Sequence, residues 1–129
     1  MRNYLRDSTE FQYVYSKGKR YDGKLITVFV IHNESAYHRL GVTASKRAIG
    51  KAVERNRAKR LMREAFRFSK PLLNDLAGRY DWVLNAKSTL LTVKVNAPAE
   101  EFAGIIGKVG RSEKHDALVE TRVDKAIVE

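Results

Sequence analysis

The chain has 129 residues, with 25 Lys and Arg against 15 Asp and Glu and a formal net charge of +10. That length suits one domain with a real core, and 43% hydrophobic residues exclude the composition of a disordered chain. The absence of cysteine excludes disulfides, thiolate chemistry and Cys-containing zinc sites, while His32, His38 and His115 are too scattered for a metal cage.

Asp7, Ser8 and Thr9 are candidate N-caps for a short first helix, with Phe11, Val14 and Tyr15 at helical spacing and Gly18 placed to stop it. Residues 25–31 (LITVFVI) are β-branched and aromatic, and residues 39–44 (RLGVTA) alternate strictly. The two runs are expected to be neighbouring antiparallel strands. Leu40, Val42 and Ala44 belong to the core, with Arg39, Gly41 and Thr43 on the other side. Ile26, Val28 and Val30 share one face, opposite Leu25, Thr27, Phe29 and Ile31. Neither of those faces is polar, so Phe29 is left open between core and surface. Residues 25–31 are too few to span a bilayer, and residues 1–5 contain no signal-peptide core. The expected location is the cytoplasm, without a membrane partner.

Residues 46–70 hold ten cations and two acids. Such a density attracts a polyanion by counterion release, and nucleic acid is the commonest one. A solvated helix surface is the plainer account, but it usually mixes both signs. Ile49 and Val53 do not share a stripe with Leu61, Met62 and Ala65, which predicts a turn over 46–50 and a helix over about 52–68. On that helix Asn56, Arg60, Arg63 and Arg67 recur on one face, opposite Ala58, Leu61, Met62 and Ala65. Pro71 and Gly78 bracket a connection. Residues 81–87 then read as a strand with Trp82, Leu84 and Ala86 inward. Pro98 opens a last helix with Glu100 and Glu101 in its first turn and Phe102, Ile105, Ile106 and Val109 on one side. The weakly patterned residues 111–129 are expected to form a frayed or disordered polar tail behind a domain of residues 1–110.

The two acids of the basic helix, Glu54 and Glu64, lie about 80° apart around its axis, unlike the converging carboxylates of a two-metal nuclease. With no Ser-His-Asp or paired-carboxylate pattern either, the chain reads as a binder. Phe11, Tyr15 and Phe29 could stack on unpaired bases or pack in the core, and the residues alone leave both readings open. A helix-turn-helix DNA reader needs a partner helix just upstream, where this chain has a strand and a turn, so DNA is not an expected partner.

Residues 45–67, SKRAIGKAVERNRAKRLMREAFR, closely resemble the signature of the bacterial ribonuclease P protein component. The resemblance centres on Arg55, Asn56 and Arg57, continues through Lys59, Arg60 and Arg63, and includes the preceding Gly50, Ala52 and Val53. Upstream, Glu10, Phe11, Val14, Tyr15 and Gly18 resemble a second element of the family, so the likeness covers about residues 8–87. It implies a single α+β domain of order α-β-β-β-α-β-α, similar to the second domain of certain ribosomal proteins. It also implies a left-handed βαβ crossover through the basic helix and a short extra strand near residues 19–21. Propensity shows neither of these last two features.

The function implied is that of the protein subunit of an endoribonuclease, a ribonucleoprotein that removes 5′ leaders from precursor tRNAs by phosphodiester hydrolysis. The RNA subunit would hold the active site and the Mg²⁺, with no catalytic residue and no metal cage in the protein. Carried over residue by residue, Lys46, Arg47, Arg55, Asn56, Arg57, Lys59, Arg60, Arg63 and Arg67 would contact the catalytic RNA. Phe11, Tyr15, Phe29 and Thr43 would contact the single-stranded leader. The chain departs from the family at its less basic N-terminus, its slightly acidic tail and Tyr15, where Phe is common. A ribosomal or RNA-chaperone protein using the same helix without any processing reaction is the rival reading.

Overall fold

Strands β1 (Lys19–Asp22), β2 (Ile26–His32), β3 (Arg39–Thr43) and β4 (Tyr80–Ala86) form one sheet in the order β1-β2-β4-β3. Helices α1 (Ser8–Lys17), α2 (Ala52–Phe68), α3 (Lys70–Asn74) and α4 (Ala97–Val128) and a 3-10 turn at Leu90–Thr92 complete an α+β domain. The computed structural model describes residues 4–92, 94 and 96–128, with side chains as far as Ala117.

β4 runs antiparallel to β2 and parallel to β3, with α2 in the connection between the parallel pair. The expected pairing of β2 with β3 is therefore not made, because β4 lies between them. The physical reason is in β4 itself, where Trp82, Val83 and Leu84 are all fully buried. A strand apolar on both faces needs a layer on each side, which the central position supplies. β3, with Arg39 and Thr43 on its second face, tolerates the outer position. There the chain near Tyr4 bridges Leu40, and the Leu5 N–H donates to the Leu40 carbonyl at 2.8 Å. The extra strand implied by the family resemblance is β1, paired with β2 from Lys19↔Val30 to Asp22↔Thr27.

The pleat sorts the side chains as their alternation predicts. Ile26, Val28, Val30, Leu40, Trp82, Leu84 and Ala86 face α2 and α4 and form the main core with Met62, Phe66, Phe102, Ile105 and Ile106. Phe102 meets Trp82 edge-on at 5.4 Å and stacks with Phe66 at 5.9 Å. That cluster shifts the buried stripe of α2 to Ala58, Met62, Ala65 and Phe66, leaving Leu61 only half-buried. Leu25, expected on the far face, lies outside β2 and joins the main core. Its turn is held by Glu101, whose carboxylate accepts from the N–H groups of Lys24, Leu25 and Ile26 at 2.6, 3.0 and 3.0 Å.

Residues 71–78 are more than a connection, since Pro71 sits in the first turn of α3 and Leu73 is buried. α4 runs on past residue 111 to Val128. Glu113 ties that stretch down, accepting from the N–H groups of Ala77 and Gly78 at 3.0 and 2.8 Å. Under this layer His38 donates from Nε2 to the Leu73 carbonyl at 3.0 Å. Its Nδ1 accepts from the Tyr80 backbone and Trp82 Nε1, each at 3.1 Å. The ring is therefore the neutral Nε2–H tautomer, and burial holds its pKa below the ordinary histidine value.

The second face of the sheet is smaller and only partly covered. Val83 is sealed there with Leu5 and Val14, while Phe11, Phe29 and Ile31 pack around them half-buried. No helix among the described residues is long and apolar enough to cross a membrane.

Candidate nucleic-acid interface

The first surface is the outer side of α2. Ser45 opens it, accepting from the Ala48 N–H through Oγ and from the Ile49 N–H through its carbonyl, both at 3.0 Å. Gly50 then turns the chain at φ +100°, a conformation that an L side chain resists. Lys46 and Arg47 project exposed from this turn. Asn56, Arg57, Arg60, Arg63 and Arg67 are exposed along the helix, whereas Arg55 and Lys59 are half-buried on its flank. Arg55 Nε is buried without a hydrogen-bond partner.

Among the described residues no cation of α2 takes part in an ion pair. Like charges held this close repel, so the ridge carries a standing cost that a polyanion removes. Arg60, Arg63 and Arg67, with Tyr4 and Lys70, also line a cavity of about 380 Å³. The spacing of the cations was legible in the sequence. Tyr4 was not, because the bridge to Leu40 brings it there from a distant part of the chain.

The second surface lies on the other face of the sheet, beside α1. Phe11 rests on Gly41, where a Cβ would come within 2.6 Å of the Phe11 ring, so the backbone at 41 must be bare for α1 to seat. Tyr15, 37% exposed, meets Phe29 edge-on at 4.8 Å, and Arg20 stands over the Phe29 ring at 5.7 Å. The Tyr15 hydroxyl donates to Asn85 Oδ1 at 2.9 Å, and the Thr43 hydroxyl donates to the same oxygen at 2.6 Å. The four residues expected to form a cleft are thus brought together. Phe11, Phe29 and Thr43 are half-buried there, and Tyr15 is the most open.

A charged network fixes α1 over this face. Arg39 grips Asp81 bidentately, Nε to Oδ1 at 2.8 Å and Nη2 to Oδ2 at 2.6 Å, and reaches Glu10 through Nη1 at 3.1 Å. Asn33 adds a bond to Asp81 Oδ1 at 2.7 Å. Glu10 also accepts from the N–H groups of Arg6 and Asp7, each at 3.2 Å. These backbone bonds, with Arg39 beside them, hold the Glu10 carboxyl below its ordinary pKa. Sequence reasoning placed Arg39 on this face without its partners, and it missed Asn85 and Arg20. Asp81 and Asn85 did carry a signal, as polar residues at the outward positions of an otherwise apolar strand.

Among the described residues no three His, Cys, Asp or Glu side chains gather into a group that would hold a metal ion. An α+β domain with a cationic helix free of ion pairs among the described residues on one face of its sheet and a partly exposed aromatic cluster on the other has the build of an RNA-binding protein. The sequence model of one family, described as Ribonuclease P, matches residues 1–110. A ribonuclease P protein component from Clostridium botulinum (strain Loch Maree / Type A3) is 39% identical over 87 residues, 67% of this chain and 76% of that protein. One from Fusobacterium nucleatum is 41% identical over 85 residues, 66% of this chain and 73% of that protein.

Among solved structures, the RNase P protein from Thermotoga maritima superposes with a TM-score of 0.71 at 25% identity, covering 83% of this chain and 97% of that one. The Staphylococcus aureus RNase P protein gives 0.72 at 24% identity over 84% of this chain and 96% of that one, and speaks for the fold alone. The chain belongs to the ribonuclease P protein family. It is a protein component of an endoribonuclease that acts in tRNA 5′ processing, with an RNA partner in a ribonucleoprotein.

Proposed function

We propose that the two surfaces hold two different RNAs, the α2 ridge the catalytic RNA and the α1 cleft the single-stranded 5′ leader of a precursor tRNA. The observation that carries this reading is their separation, since α2 packs on one face of the sheet and α1 on the other and the two groups of residues do not overlap. A protein so built can touch both RNAs at once and so raise the affinity of one for the other.

The ridge suits a folded RNA. Arg60, Arg63 and Arg67 present planar forks to phosphate oxygens, Lys46, Arg47, Arg57 and Lys59 widen the charged field, and Asn56 offers an uncharged hydrogen-bonding group among them. Arg55, with its Nε already buried, contributes from the flank. The cleft suits an unpaired strand. Tyr15 and Phe29 offer aromatic surface, Phe11 and Gly41 shape the floor, and Thr43 lines the far side. Hydrolysis of the phosphodiester belongs to the RNA subunit in this reading, along with the Mg²⁺ it requires. The protein positions the substrate and screens charge.

The test is reconstitution. At low Mg²⁺, adding this chain to the protein-free catalytic RNA should restore cleavage at the mature 5′ end of a precursor tRNA. The chain alone with Mg²⁺ should cleave nothing. An RNA-binding protein of another kind would bind the ridge's partner without restoring cleavage.

A further inference from the structure

The segment before α1 lies along β3, with Tyr4 bridged to Leu40 and the Leu5 N–H bonded to the Leu40 carbonyl. Successive side chains of an extended chain point to opposite faces. Leu5 is buried on the α1 side with Val14 and Val83, so Tyr4 falls on the α2 side. There it lines the cavity of about 380 Å³ together with Arg60, Arg63, Glu64, Arg67 and Lys70. Tyr4 is 40% exposed, and among the described residues its hydroxyl has no hydrogen-bond partner and its ring no aromatic or cationic neighbour. Glu64 is half-buried there, and among the described residues it makes no ion pair with the surrounding cations.

Phosphate oxygens call for the cations of this cavity but for neither of its other two features. An exposed ring gives a phosphate nothing, and the Glu64 carboxylate repels it. Both features suit a nucleobase. The ring is a stacking surface, and a carboxylate accepts from the N–H groups that every base carries on its Watson–Crick edge. Arg60, Arg63, Arg67 and Lys70 then hold the phosphates flanking that nucleotide. A paired base is stacked inside its own helix, whereas a base in a loop or bulge is free to turn outward onto an aromatic side chain. Resting on the assignment of the ridge to the catalytic RNA, we infer that this cavity seats one unpaired base of that RNA, stacked on Tyr4. Tyr4 is then a binding residue of a different kind from the arginines, which hold phosphate.

The experiment titrates the full chain onto the catalytic RNA at several salt concentrations and maps the RNA by base-specific chemical probing. Tyr4→Ala should weaken assembly about 5- to 20-fold, the lower part of the range for a stacked base. Its slope of log K against log salt should match wild type, because no phosphate contact is lost. Tyr4→Leu, which keeps apolar bulk without a flat ring, should lose affinity as Tyr4→Ala does. Tyr4→Phe, which keeps the ring and drops the hydroxyl, should stay within about twofold of wild type. Probing should show one unpaired base shielded by wild type and by Tyr4→Phe but exposed with Tyr4→Ala and Tyr4→Leu, a result that mere packing of Tyr4 would not give. Thermal melting checks that each variant is folded. The inference is overturned if Tyr4→Ala and Tyr4→Leu bind as wild type does, if Tyr4→Phe is as weak as Tyr4→Ala, or if no base changes its reactivity among them. Should replacement of Arg60 and Arg63 by Ala weaken assembly while the Tyr4 variants do not, the base site falls and the ridge assignment stands. If neither set weakens it, the ridge assignment falls as well.

Discussion

The ridge and the cleft are built on opposite principles. On α2 the exposed cations have no ion-pair partner among the described residues, and the helix is fixed by its buried side through Ala58, Met62, Ala65 and Phe66. Around α1 the polar groups are already engaged, Arg39 with Asp81 and Glu10, and Asn85 with Tyr15 and Thr43. One surface carries long-range, salt-sensitive attraction that tolerates small errors of position. The other is organised before a ligand arrives, so its selectivity depends on side chains staying where the sheet puts them.

The largest change should come from undoing that organisation. Arg39→Ala leaves Asp81, only 7% exposed, without its bidentate partner. The expected cost is about 2 to 3 kcal/mol in urea unfolding, below that of a fully sealed pair because Arg39 is itself partly exposed. Loosening of α1 should weaken binding of leader-bearing precursor tRNA. Affinity for the catalytic RNA should hold at temperatures where the variant is folded, and equal losses on both RNAs would mean the two surfaces are not independent.

Next in size, Tyr15→Ala should cost about 1 to 3 kcal/mol, roughly 5- to 100-fold, in holoenzyme affinity for a substrate with a leader of several nucleotides. A leader trimmed to one nucleotide should leave the variant near wild type. Phe11→Ala is the less clean probe, because Phe11 also fills the space over Gly41 and its loss should lower stability. Equal losses on long and short leaders would reassign both aromatics to packing.

On the ridge, replacing Arg60 and Arg63 by Ala should reduce the slope of log K against log salt by about one unit or less for each phosphate no longer neutralised. Stability should change by no more than about 0.5 kcal/mol, as for exposed positions generally. An unchanged salt slope in a folded double variant would break the ridge assignment.

The smallest expected effect concerns pH and separates the core from both surfaces. The folded chain holds His38 neutral, so its pKa lies below that of the unfolded histidine at about 6.5. Below that pH the unfolded chain binds a proton that the folded chain resists. Stability from this group should therefore rise with pH up to about 6.5 and stay level above it. In His38→Phe that part of the pH dependence should vanish, while the salt dependence of RNA binding remains.

Much of this molecule was legible along the chain. α2 was bounded at residues 52 and 68 because a 3.6-residue period and a turn at Gly50 are local properties. The ridge followed because spacing on one helix sets direction without help from the rest of the fold. The alternation of β3 and β4 assigned their faces correctly for the same reason, whereas β2, apolar on both faces, grouped Ile26, Val28 and Val30 without deciding how far the face of Phe29 is covered. What the residues could not decide was which strand neighbours which. β4 enters between β2 and β3 because only the assembled layers show where a strand apolar on both faces is buried. The state of Phe11, Tyr15 and Phe29, ambiguous in sequence, depended on how much of the second face α1 covers. The pairing of Arg39 with Asp81 and of Thr43 with Asn85 joins residues 42 positions apart. Local patterning holds no information on such pairs, since they form only once the crossover through α2 has set β4 beside β3.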